Sequence, residues 1–232
     1  MRQTYLIDLK HISYRRAHKL MLSLVNWKRD DQTPQVLMLV EHEPVITLGR
    51  RSGKDDFVAS ETCLLRKGIE VHRIERGGLA TYHGPGQLVA YPIFNLHQMK
   101  LGVVELVSGL ELAVIHTLMK FGIPAVGRSQ YRGVWVGEEK IASVGIAVRR
   151  GVSFHGVALN YAPDLRHFDL IHPCGIPDVQ MTSLTKLLKC PLDPLLVRRY
   201  FAASLSNVFK LSFESISVEQ LQKEMGDLND SI

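Results

Sequence analysis

The stretch from Gly133 to Ala162, GVWVGEEKIASVGIAVRRGVSFHGVALNYA, constrains the fold more than any other. It holds three runs rich in β-branched and apolar residues, broken at Gly137–Glu139 and at Arg149–Gly151. Short strands separated by turns this tight pair as an antiparallel meander. A meander must bury at least one face, so the chain needs covering elements. Three helical patterns supply them. Ser13 to Lys28 sets Ala17, Leu20, Met21, Leu24 and Trp27 on one side. Val103 to Phe121 is the longest and stops at Gly122 and Pro124. Pro194 to Phe209 presents Leu195, Val197, Phe201, Leu205 and Phe209.

Further strands are expected at TYLIDL near the start, on both sides of Glu43–Pro44, at IEVHRIE and at QLVAYPIFNL. A short helix over Ser60–Lys67 ends at Gly68, and residues 164–183 read as loop. Strand-rich segments joined as hairpins, with helices spaced irregularly among them, predict an α+β fold on a mixed sheet rather than a doubly wound one. The 232 residues suit one catalytic-size domain over 1–211. Residues 212–232 read as an acidic tail with one short helix around Val218–Met225.

Charge and composition narrow the function classes. The chain is 46% apolar and 22% charged, ordinary for a globular protein, and no run approaches the length of a membrane span. The net charge of +5 combines a tail of −4 with a body of +9. A basic body favours acidic partners, either nucleic acid or an acidic protein. The basic residues come as scattered pairs with no aromatic interleaving, which speaks against a nucleic-acid surface. Cys63, Cys174 and Cys190 form neither CxxC nor zinc spacing, so a reducing compartment is expected. The start lacks an apolar signal core. Leu9–Arg29 is basic and acid-free, as a mitochondrial presequence is, but Asp8 and the strand-like TYLIDL argue against one.

RGGLATYHGPGQLVAYP, residues 76–92, packs four glycines ahead of an apolar strand. Gly77 and Gly78 free the backbone to take positive φ or to lie against a ligand. The segment is neither GxGxxG nor a P-loop. A groove for a plain acyl chain, held by shape and apolar contact, is one reading. A hairpin whose glycines serve only the turn is the other. Cys174 is the one cysteine in a loop, between Pro173 and Gly175. Free cysteines are usually small buried hydrophobes, yet a loop thiol with its pKa lowered by a nearby cation is a nucleophile. Lys140 by itself reads as a surface lysine at a hairpin. His155 lies in an apolar run and is either a core histidine or an accessory site residue.

Together these pieces resemble the lipoyl(octanoyl) transferases of lipoate biosynthesis. The resemblance rests on RGGLATYHGPGQLVAYP, GVWVGEEKIASVG (133–145), SFHGVALN (153–160) and HPCGIPDVQMTSL (172–184), in that order. It runs from about Glu41 to Leu188. It implies the fold shared with biotin and lipoate protein ligases. It also implies octanoyl transfer from acyl carrier protein to a lysine of lipoyl domains, on 2-oxoacid dehydrogenase E2 subunits and the glycine cleavage H protein. Cys174 would carry the acyl thioester, and Lys140 would lower its pKa and move protons. Arg76, Gly77, Gly78, Leu79, Ala80, Thr81, Tyr82 and His83 would line the acyl site. Ser143, Val144 and Gly145, with Gly156, Val157 and Ala158, would complete it. No cofactor, metal or membrane is called for, and the expected location is the cytoplasm, or the mitochondrion in a eukaryote. The ATP-dependent ligases of the same fold share the RGG stretch and the lysine strand but need no PCG cysteine. A non-catalytic basic domain binding nucleic acid is the rival of another class.

Overall fold

The structure, a computed structural model, describes residues 2–28, 33–53, 56–172 and 179–226. The first half runs β1 (Arg2–Ile12), α1 (Tyr14–Trp27), β2 (Gln35–His42), β3 (Val45–Leu48), α2 (Glu61–Arg66), β4 (Glu70–Arg73), β5 (Ala80–His83) and β6 (Gln87–Ile93). The second half runs α3 (Leu96–Met99), α4 (Val103–Met119), β7 (Val126–Gly127), β8 (Val134–Val136), β9 (Glu139–Arg149) and β10 (Val152–Asn160). A 3-10 helix (Leu165–Leu170), α5 (Leu184–Leu188), α6 (Pro194–Phe209), β11 (Leu211–Ser215) and α7 (Val218–Glu224) follow.

Eight strands form one mixed sheet in the order β11-β1-β2-β6-β10-β9-β8-β7. The β11–β1 and β1–β2 pairs are parallel, and the rest are antiparallel. The meander is β8, β9 and β10. Its β9–β10 turn has only two residues, since Arg149 pairs with Val152 directly. Arg150 and Gly151 take φ of 52° and 80°, the left-handed pair whose twist matches that of the flanking strands.

β2 is buried along its whole length, because the central sheet is covered on both faces. Its side chains alternate. Leu37 and Leu39 pack with Leu106 and Leu110 of α4 and Val197 and Phe201 of α6. Val36, Met38 and Val40 pack with Leu20, Met21 and Leu24 of α1. Each such fully buried side chain stabilises the fold by about 1.5–3 kcal/mol. In the first turn of α6, Leu195 stays 61% exposed, so the buried face of that helix starts at Val197.

Two sequence expectations change. The acid-rich end is not an appended tail: β11 runs parallel to β1 from Leu211 to Ser215, and Leu221 of α7 is fully buried against α1's core. The outer edge of β1 needs hydrogen-bond partners, and β11 supplies them. A boundary at 211/212 therefore falls inside a strand. Second, the hairpin alternative for residues 76–92 does not form, because this stretch carries an unexpected strand, β5, that does not pair with β6. β5 belongs to a separate small sheet, β4-β3-β5, and β6 to the large one. Gly84–Pro85–Gly86 hands the chain from one sheet to the other. Gly86 has φ of 87°, and a Cβ there would sit 2.3 Å from the Ala162 carbonyl. No helix among the described residues is long and apolar enough to cross a membrane.

Candidate active site

A cavity of about 170 Å³ lies between the small sheet and the β9–β10 pair. Sheet register explains why two distant stretches meet there. Ser143, Val144 and Gly145 of β9 pair one to one with Ala158, Val157 and Gly156 of β10. The 76–79 loop lies against them, and Gly77 N–H donates to the Ile146 carbonyl at 3.0 Å. Arg76, Gly77, Gly78, Leu79, Thr81, His83, Ser143, Val144, Gly145, Gly156, Val157 and Ala158 all line the cavity. Ala80 and Tyr82 do not. Strand side chains alternate between faces, and these two point into the small sheet's core with Phe168. Tyr82 OH bonds to His167 Nδ1 at 2.8 Å instead. Gly156 is glycine for a packing reason: a Cβ there would stand 2.0 Å from the Ala90 carbonyl of β6.

Arg76 is only 7% exposed. Its guanidinium donates to the Thr47 carbonyl at 2.6 Å, Thr47 Oγ1 at 3.0 Å and the Gly77 carbonyl at 3.2 Å. These bonds hold the loop's shape, since five fixed donors can tie several acceptors at once. Thr47 Oγ1 also lies 3.5 Å from His83 Nε2. His83 Nδ1–H donates to Gln87 Oε1 at 2.9 Å, and Gln87 Nε2 donates to the Tyr82 carbonyl at 3.0 Å. Burial, helped by neighbouring His42, pushes the His83 pKa down to about 3. Burial likewise takes His42 to about 4. His42 Nδ1–H donates to the Ile12 carbonyl at 2.9 Å, which leaves Nε2 to accept from Tyr91 OH at 2.7 Å. His83, which lines the cavity while His42 does not, is thus a polar but uncharged part of its wall.

Lys140 is the second residue of β9 and is 1% exposed, so the surface reading of this lysine does not hold. Its ammonium lies 5.4 Å from the Trp135 ring centroid, a cation–π distance. Gly133 makes room for it: a Cβ there would approach Lys140 Cε to 2.6 Å and Nζ to 3.2 Å. The Gly133 turn is held by Glu111 of α4, which accepts from Gly133 N–H at 2.7 Å and from Arg132 at 3.0 Å. The backbone of Lys140 also ties down a later segment. Lys140 N–H donates to the Gln180 carbonyl at 2.8 Å, and Thr182 N–H donates to the Lys140 carbonyl at 3.0 Å. Upstream, His172 N–H donates to the Asp56 carbonyl at 2.9 Å. Cys174 itself lies outside the described residues. Cys63 is half-buried on α2, and Cys190 is exposed.

His155 lines the cavity, is 2% exposed and holds a φ of 57° within β10. A non-glycine residue in that region is uncommon and marks a site worth attention. Burial pushes its pKa down. Glu75 faces it, 3.6 Å from His155 Nε2 and 3.0 Å from His18 Nε2. The His155 imidazole, and after it His18, holds the Glu75 carboxyl down at about 2. The cavity also takes in Tyr14 of α1, whose buried hydroxyl has no hydrogen-bond partner among the described residues. Tyr14, Tyr91 and the Gln130–Arg132 loop give no local signal in sequence. Thr47 and Gln87 are equally ordinary there. They matter because of what the small sheet and β6 bring beside them.

Residues 13–206 match the family described as lipoyl protein ligase A/B catalytic domain. The chain is 41% identical over 227 residues to an octanoyltransferase of Syntrophobacter fumaroxidans, covering 98% of this chain and 100% of that protein. It is also 41% identical over 204 residues to one of Alkaliphilus metalliredigens, covering 88% and 94%. Its fold is similar to that of a bipartite lipoate protein ligase from Thermoplasma acidophilum, with a TM-score of 0.75, 18% identity and full coverage of both chains. At that identity the likeness speaks to the fold alone, while the octanoyltransferases extend it to sequence along nearly the whole chain. The chain belongs to the lipoyl protein ligase A/B catalytic domain family.

Proposed function

We propose that this chain is an octanoyltransferase. It takes an octanoyl group from octanoyl-acyl carrier protein, holds it as a thioester on Cys174, and passes it to the ε-amine of a lysine on a lipoyl domain. The observation that carries this reading is the buried Lys140. It lines the cavity, and its backbone anchors the segment six residues beyond Cys174. Octanoyltransferases of similar length, covered nearly end to end, support the same reaction. A cavity of about 150 Å³ is enough to hold a six-carbon ring, so this one is scaled for a short acyl chain.

The chemistry balances without a cofactor. The Cys174 thiolate attacks the carrier thioester carbonyl, the carrier's thiolate leaves, and Lys140 supplies the proton it needs. Neutral Lys140 then accepts a proton as the acceptor amine attacks the Cys174 thioester, and the cysteine leaves as thiolate. A covalent relay means that only one bulky protein docks at a time. Intact mass spectrometry after mixing with octanoyl-acyl carrier protein tests it. One octanoyl adduct, removed by hydroxylamine and missing in Cys174→Ser but present in Cys63→Ser and Cys190→Ser, is expected. Transfer that demands ATP, or an adduct that survives Cys174→Ser, would overturn the reading.

A further inference from the structure

We propose that His18, Glu75 and His155 form a binding site for one divalent cation of the zinc class, with a coordination position left open to an exogenous oxygen donor. The three residues come from α1, the loop before Arg76 and β10, so only the tertiary fold assembles them. One ligand atom of each lies within 4.8 Å of the other two. Two of the edges are given by Glu75 Oε2, at 3.0 Å from His18 Nε2 and 3.6 Å from His155 Nε2. Metal bonds of about 2.0–2.1 Å in a tetrahedron set ligand atoms about 3.3 Å apart, between those two values.

His155 Nε2 carries the argument further. The residue is 2% exposed, and that nitrogen has no hydrogen-bond partner among the described residues. Buried polar atoms are nearly always partnered, and one that is not calls for an explanation such as an ion. At 3.6 Å the Glu75 carboxylate is an electrostatic neighbour, beyond hydrogen-bond distance. A cation between the two would satisfy both. His18 and Glu75 remain 23% and 29% exposed, which leaves a way in. Arg149 pairs with Glu75 Oε1 at 3.5 Å, so the carboxylate is oriented by one oxygen and can ligate with the other, as outer partners of metal ligands do.

The donor set chooses the class of ion. Two imidazoles and one carboxylate suit zinc and its first-row neighbours, and not calcium or magnesium, which want oxygen alone. Three protein ligands leave one position free, the arrangement of open rather than closed zinc sites. Because His155 also lines the cavity, an ion held there sits at the cavity wall. The site does not depend on the transfer reaction proposed above.

Metal-stripped wild-type protein titrated with Zn2+ by calorimetry should bind one tight equivalent. Co2+ in its place should give the visible bands of a tetrahedral site without a thiolate charge-transfer band. His18→Ala and Glu75→Gln should each lose that equivalent, while His97→Ala, His116→Ala and Cys174→Ser keep it. Zn2+ should raise the melting temperature of wild type and not of His18→Ala. The proposal is overturned if wild type binds no tight equivalent. It is also overturned if the Co2+ spectrum shows thiolate ligation, or if Cys174→Ser removes the equivalent while His18→Ala retains it. The spectrum of wild type decides the matter even where a variant fails to fold.

Discussion

Gly77 and Gly78 are neighbours in sequence and unlike in structure. Gly78 holds a φ of 92°, and an added Cβ would also press on Arg76 Nη1 at 3.4 Å. Around Gly77 the nearest atom to an added Cβ is the Ile146 carbonyl at 3.7 Å, an ordinary contact. Gly78→Ala should therefore cost about 1–3 kcal/mol of stability, and Gly77→Ala should cost little. Urea denaturation of the two variants checks this, and equal losses would show that φ at Gly78 is not what selects glycine. The same residue-by-residue logic separates Thr81 and His83, on the cavity, from Ala80 and Tyr82, behind it. The motif lists four residues in a row. Strand alternation admits every second one.

At the scale of elements, α4 does more than cover the sheet. Its Glu111 is 5% exposed and reaches the Gly133 turn that makes room for Lys140. Glu111→Ala strands a buried backbone N–H and a half-exposed Arg132. It should destabilise the protein by about 2–3 kcal/mol and lower octanoyl transfer beyond what unfolding explains. Folded-fraction-corrected activity measures this; unchanged transfer per folded molecule would separate the turn from the chemistry. β3 and β5 act similarly from the other side. Their small sheet holds Thr47 where Arg76 can grip it, and this grip fixes the loop over β9 and β10.

For the whole molecule, two effects of charge follow. His42 and His83 have folded pKa values of about 4 and about 3, against an unfolded value of about 6.5. Between those limits the unfolded chain binds protons that the folded one refuses. Stability is therefore full above about pH 6.5 and is lost as pH falls towards 4, each group contributing up to about 1.4 kcal/mol per pH unit. Thermal denaturation from neutral to mildly acidic pH should show the fall, and His42→Gln should make it shallower. An identical slope in the variant would assign the loss to other groups. The second effect is docking. The chain carries 28 basic and 23 acidic residues, and Arg50 and Arg150 are exposed close to the cavity-forming segments. Association with an acidic carrier protein should weaken as salt rises, since exposed charges are screened over about 8 Å at physiological salt. Replacing Arg50 and Arg150 by glutamate should raise KM for the carrier protein and leave a small octanoyl thioester unaffected. Equal damage to both substrates would place these arginines in the fold rather than at a docking face.

Local sequence by itself determined most of the elements, though not β5, β7 or β11. The meander, α1, α4 and α6 were legible because apolar periodicity and turn glycines act within a few residues. The motifs also marked the segments that line the cavity and named the family. What sequence could not determine was partnership. Residues 76–92 left a groove and a turn-only hairpin both open, and β5 was not legible as a strand at all; only the assembled sheets send β5 and β6 to different partners. The acidic end read as a tail because its charge is conspicuous and the pairing of β11 with β1, more than two hundred residues apart, is not. Lys140 read as a surface residue because burial depends on Gly133, Trp135 and the Gln180–Thr182 segment folding around it. His18, Glu75 and His155 share no motif at all. Hydrophobic period and turn chemistry are local, whereas burial, pKa and ligand geometry arise from contacts between residues far apart in the chain, and those exist only once the sheets are assembled.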